Sequence, residues 1–186
     1  MSMRRPRHNM GRIEWIGAEA IGLPGQRTFR IVVWAEGNSA QLWLEKQQVQ
    51  ALAEAIARML LEIDTERGVD FREGSPTPPN PKPPNFPADP NIDLHIGTLG
   101  LRYDPQRDLI ALEAFDADSP DEGPPAFRCL ATRKQMEALQ ANSIEVVSAG
   151  RPKCPFCGTP LQSAGLPHFC PPTNGHQKLT VDDEPE

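Results

Sequence analysis

The sequence predicts an α+β fold: an antiparallel sheet built from two similar β-β-β-α units, with both helices on one face. Three observations predict it. Two stretches carry the strand signature of β-branched residues and period-two alternation. Each runs directly into a segment with helical spacing, and a proline-rich run separates the two.

The first unit, residues 11–70, opens with strands. TFRIVVWAE is rich in β-branched and aromatic residues, and SAQLWLE alternates through Leu42 and Leu44. Gly37 and Asn38 between them signal a turn, and LPG at 23–25 supplies an earlier one, giving a three-stranded antiparallel meander over 13–45. KQQVQALAEAIARMLLEID then sets Val49, Leu52, Ala53, Ile56, Leu60 and Ile63 on one helical face, with Lys46, Gln50, Glu54 and Arg58 on others. Gly68 stops this helix.

Residues 72–90 hold eight prolines and can continue neither a helix nor a central strand. They read as an extended linker or surface loop, whose PTPPNPKPP includes the P-x-x-P spacing that docks in aromatic-lined grooves. The second unit, 91–150, repeats the plan through IDLHIGTLGLRYD, DLIALEAFDA and the short strand AFRCLA. TRKQMEALQANSIEVVSAG follows as a helix, with Thr132 and Gln135 spaced for a capping box and Gly150 and Pro152 as the stop. SAQLWLEKQQVQALA and AFRCLATRKQMEALQ align Gln48, Ala51 and Leu52 with Gln135, Ala138 and Leu139, which suggests a diverged internal duplication.

Bulk properties narrow the function classes. A net charge of -6 over 186 residues argues against a surface dedicated to polyanions, and Arg4, Arg5 and Arg7 belong to a tail at residues 1–10. Glu14 and Glu19 interrupt any apolar core of a secretory signal, and the longest apolar stretch, near Met59 to Ile63, falls far short of the ~20 residues of a membrane span. A cytoplasmic protein with no membrane partner is expected.

Three of the four cysteines lie between 154 and 170, in CPFCGTPLQSAGLPHFC. In a reducing compartment such clustering favours metal over disulfides. The C-x-x-C turn followed by Gly158 suits a zinc knuckle, and His168 and Cys170 complete a closed tetrahedral set with Cys154 and Cys157. His176 is the alternative fourth ligand. Residues 151–176 are thus expected to form a zinc-ribbon-like hairpin around one structural Zn2+, with a second tail at 177–186. The ion's binding free energy, roughly 10–16 kcal/mol for such sites, would offset a small apolar core. Cys129, alone in AFRCLA, reads as a small buried hydrophobe.

CPFCGTP and HFCPPTNG, together with PGQRTF at 24–29 and LEKQQV at 44–49, resemble an uncharacterised bacterial family best represented in actinobacteria. The resemblance covers nearly the whole chain and implies a zinc-type tail on Cys154, Cys157, His168 and Cys170. It implies no reaction. Pro172 and His176 depart from the usual tail, where a basic residue and an aromatic are common.

Outside the tail the chemistry is sparse. Glu45, Lys46 and Gln48 open the first helix, where anions can bind. Arg27 lies in GLPGQR, which lacks the spacing of a phosphate loop, and His95 stands two residues from Asp93. No nucleophile elbow, zincin, Walker or dinucleotide motif is present, so no catalytic residue is assigned. The expected function is a non-catalytic zinc-containing interaction or adaptor protein with a protein partner. The alternatives are nucleic-acid binding through the zinc hairpin, using Arg151, Lys153 and Lys178, and an enzyme with a cleft between the sheet halves near His95 and Arg102.

Overall fold

Strands arise where the sequence alternates, and each pair of halves is tied by a helix that returns the chain to the side it started from. The computed structural model describes residues 5–23, 25–68, 81–83, 86, 89–118 and 123–149. In chain order the elements are β1 (His8–Arg12), β2 (Trp15–Ile21), β3 (Thr28–Ala35), β4 (Asn38–Leu44), α1 (Lys46–Arg67), β5 (Ile92–Asp104), β6 (Leu109–Asp116), β7 (Phe127–Thr132) and α2 (Arg133–Ser148). The chain divides into two compact units, Met1–Ser148 and Ala149–Glu186. All these elements belong to the first.

The hairpin β3–β4 is closed by Glu36 and Gly37, both at positive φ of 49° and 77°. Such a two-residue loop twists in the sense the strands require. It lies one residue ahead of the Gly37-Asn38 signal, since Asn38 already pairs with Ala35. The meander expected over 13–45 forms as β2, β3 and β4.

The sheet itself corrects the antiparallel expectation. Its seven strands run in the order β1-β7-β6-β5-β4-β3-β2, and two of the pairings, β4–β5 and β1–β7, are parallel. The reason is topological: α1 carries the chain back along the sheet before β5 begins, so β5 must run with β4. A mixed sheet of seven strands results. The tail read at residues 1–10 is also a paired strand from His8 onward, with His8 opposite Phe127.

At residues 13 and 14 the two ends of the sheet meet. The Ile13 N–H donates to the Leu130 carbonyl in β7 at 3.0 Å, and the next N–H, of Glu14, donates to the Trp34 carbonyl in β3 at 2.9 Å. One continuous stretch therefore closes the curl from both sides. The free edge of β2 is served by α2, where the Asn142 side chain accepts from the Ala18 N–H at 2.6 Å.

The apolar face predicted for α1 is the buried one, Val49, Leu52, Ala53, Ile56, Leu60 and Ile63. Gly68, at φ 63°, closes the helix in the left-handed conformation. These side chains share one core with Ile16, Phe29, Ile31 and Leu42 of the first half and with Ile110, Leu112, Phe127, Met136 and Leu139 of the second. Cys129 is fully buried there and its thiol is pushed up to about 12 by desolvation, so it stays protonated and inert.

Candidate functional site

The two helix starts are built alike. Gln48 Oε1 accepts from the Glu45 N–H at 2.6 Å, while its Nε2 donates to the Ile96 and Gly97 carbonyls at 3.0 and 2.8 Å. Gln135 Oε1 accepts from the Thr132 N–H at 2.8 Å, and its Nε2 donates to the Ile13 and Glu14 carbonyls at 3.1 and 3.0 Å. Each amide thus caps its own helix and fastens the opposite half's backbone close to a strand irregularity, between Ile96 and Thr98 in β5 and between Asn9 and Arg12 in β1. Gln48, a candidate for binding, spends all its polar atoms this way. Glu45 is the helix cap residue and Lys46 is exposed in the first turn. Arg27 is half-buried ahead of β3.

His95 leads to a different place. Alternation in β2, β3 and β4 sends Ile16, Ile31, Val33, Ala40 and Leu42 to the core, so the residues between them face the other way. Register then fixes their neighbours. One row across that outer face is Glu19, Arg30, Trp43 and His95; the next is Gly17, Val32, Gln41 and Asp93; the third is Trp15, Trp34 and Ser39. All three tryptophans of the chain lie on this face.

The first row is a connected polar and aromatic chain. His95 stacks on Trp43 with ring centroids 6.3 Å apart, and the Trp43 indole N–H donates to Asp93 at 2.6 Å. The Arg30 guanidinium lies 5.4 Å from the Trp43 ring centre and donates to Glu19 at 2.6 Å and to Gln41 at 2.7 Å. Burial alone would raise the Glu19 carboxyl; hydrogen bonds from Lys82 and Arg30 outweigh it and hold its pKa below the usual value. Lys82 reaches Glu19 at 2.7 Å from the proline-rich run.

The third row carries the opposite signature. Trp15 folds over Gly17, where an added Cβ would fall 2.6 Å from the Trp15 ring, so only glycine leaves room for the indole. Phe86 packs edge-on against Trp15 with centroids 5.7 Å apart and tilts against Trp34 at 6.4 Å. Beneath it, the Trp15 Nε1, Trp34 Nε1 and Ser39 Oγ atoms are buried without a hydrogen-bond partner among the described residues. Three polar groups in one row are desolvated and unsatisfied, an uncommon cost for a native structure.

Sequence reading reached this face only through His95. The strand parity of Arg30, Trp34 and Trp43 was visible, but joining them to Trp15 and His95 required the register. Phe86, the one aromatic among the prolines, was the remaining signal. A cavity of about 550 Å³ elsewhere lies between α1 and β5, lined by Gln48, Arg58, Met59 and Leu101 among others, and by neither His95 nor Arg102. The expected zinc ligands Cys154, Cys157, His168 and Cys170, and the alternative His176, lie outside the described residues. Among the described residues no helix is long and apolar enough to cross a membrane.

Fold and face together define an α+β protein with a helix-backed mixed sheet and an aromatic outer surface. The chain belongs to the family described as Protein of unknown function (DUF3090), whose model matches residues 8–170. No curated protein and no solved structure matches it.

Proposed function

We propose that this is a non-catalytic interaction or adaptor protein, cytoplasmic, which docks a protein partner through the outer face of β2–β5 and carries one structural zinc ion in its C-terminal segment. The observation that supports this reading is the cross-strand block of Trp15, Trp34, Trp43, Arg30 and His95 on the side of the sheet away from the core. Aromatic and arginine side chains on a rigid sheet bury large area at little entropic cost, which is why they dominate protein interfaces. Among the described residues this face holds no arrangement of nucleophile, base and anion-stabilising donors, and the Glu19 carboxylate beside Arg30 is committed to ion pairs.

The zinc part of the proposal rests on the spacing of Cys154, Cys157, His168 and Cys170, a closed set with no open coordination position. Such an ion shapes a surface rather than activating water. The paired glutamines and the two β-β-β-α successions support an origin by internal duplication, with the first unit specialised for docking.

Quantitative co-purification from native cells tests the reading, comparing the wild type with a Trp43→Ala/His95→Ala variant. A stoichiometric protein recovered by the wild type and lost by the variant is expected. Recovery of no such protein under mild conditions, or equal recovery by both, would sink it. Metal analysis should find one zinc per chain, reduced in Cys157→Ser, with His168→Ala against His176→Ala deciding the fourth ligand.

A further inference from the structure

The outer face is already occupied at one end, and the occupant is part of the chain itself. Lys82 and Phe86 come from the proline-rich run, where the Phe86 N–H donates to the Pro83 carbonyl at 3.1 Å. The Lys82 ammonium sits 4.3 Å from the Phe86 ring centre and ion-pairs with Glu19. Phe86 fills the angle between Trp15 and Trp34. The contact is nonetheless incomplete, since it leaves the two indole N–H groups and the Ser39 hydroxyl beneath it unpaired.

An indole N–H can only donate, so what this row lacks is acceptors. A proline-rich backbone suits that need: every residue offers a carbonyl, while the prolines bring no N–H of their own to satisfy. Aromatic-lined surfaces recognise proline-rich segments in this way, with ring stacking for the prolines and an indole donor for a carbonyl. Proline also fixes φ beforehand, so little chain entropy is lost on docking.

We infer that the Trp15–Trp34–Ser39 row is a recognition site for a proline-rich peptide carrying a lysine four residues ahead of a phenylalanine. The chain's own Lys82 and Phe86 occupy the site in cis and compete with a partner's segment of the same chemistry. This identifies the kind of partner for the face described above, and so rests on that functional reading. Glu19 selects the lysine, the two indoles select the phenylalanine, and the unpaired donors favour the ligand whose carbonyls reach them.

The test uses the full chain and a fluorescent peptide copying residues 80–88, followed by anisotropy. A segment tethered in cis acts at an effective concentration of about millimolar, so a peptide that binds in the micromolar range meets strong competition. The Lys82→Ala/Phe86→Ala variant is therefore expected to bind the peptide at least about tenfold more tightly than the wild type. Trp34→Ala added to that variant, which removes a ring that Phe86 packs against, should weaken binding again. A peptide with its phenylalanine changed to alanine should bind neither protein.

Equal affinity for the variant and the wild type, or no saturable binding by a variant that circular dichroism shows to be folded, overturns the inference. So does displacement of the peptide by a single-stranded oligonucleotide at lower concentration than by unlabelled peptide. A wild-type dimer that dissociates on Phe86→Ala would assign the segment to a second copy and likewise overturn the cis arrangement. If peptide binding fails while Trp43 and His95 still govern partner capture, the adaptor reading stands without this ligand.

Discussion

The outer faces of the two halves differ far more than their frames do. In both halves a glutamine three residues beyond the helix cap ties the helix to the other half's backbone. Yet the second half carries ions on its outer face, where Glu113 pairs with Arg128 at 3.6 Å and Arg102 at 3.3 Å. The first half spreads three indoles over the same position and leaves two of their N–H groups unpaired. In the second half the buried Arg128 Nε also lacks a hydrogen bond but keeps an ion-pair partner in Glu113, whereas the Trp15 and Trp34 N–H groups have neither among the described residues. A shared frame with divergent faces lets one half keep the fold while the other carries the proposed docking surface.

The strongest way to break this comparison is to attack the core that both halves share. Phe127→Ala, at a fully buried position, should lower the unfolding free energy by about 3–5 kcal/mol. Urea unfolding followed by tryptophan emission and by far-ultraviolet dichroism should shift together. Separate midpoints for the two probes would show that the halves unfold independently.

The glutamines come next. Gln48→Leu and Gln135→Leu each strand two carbonyls and a helix-cap N–H, and each should cost about 1–3 kcal/mol. Similar losses that add in the double variant would establish that the two ties are equivalent and independent. A Gln48 loss confined to one half of the molecule in hydrogen exchange would instead make them unlike.

Acid should separate the faces further. The Glu19 carboxyl is depressed in the folded state, so the stability it contributes is present above its unfolded pKa and is lost as pH falls through the lower, folded value. Tryptophan emission should change over that range as Lys82 lets go, and Glu19→Gln should abolish the step. An unchanged step in that variant would assign it to another carboxylate. The smallest effect belongs to the second face: Arg102→Ala removes a half-exposed partner from Glu113, which keeps Arg128, and should alter stability by only about 0–1 kcal/mol in thermal unfolding.

Both helices were legible in the sequence because their burial repeats within each turn; the six apolar positions of α1 needed no tertiary information. Thr132 and Gln135 were legible as a cap because that interaction is local. The mixed sheet was not, since no residue in SAQLWLE or IDLHIG states which strand will lie alongside. β1 was missed for a related reason: HNMGR has one apolar side chain and a glycine at φ 61°, and becomes a strand only because β7 supplies its hydrogen bonds. The aromatic face was legible in parity but not in register, so Trp34 could be placed outward while its pairing with Trp15 and Ser39 could not be foreseen. His95 drew notice as a titratable group, whereas its position beside Trp43 is what gives it meaning.

The closure at residues 13 and 14 carries a consequence for synthesis. The Gln135 amide holds Ile13 from 122 residues away, and among the described residues β1 pairs with β7 alone. A chain growing from its N-terminus can assemble β2, β3 and β4 early, but its first strand must wait until nearly the last has emerged. Contacts so distant along the chain slow folding and leave the waiting edge exposed to wrong partners. The sparse apolar content of HNMGR is then an advantage, because a strand that cannot form alone is also one that will not pair too soon.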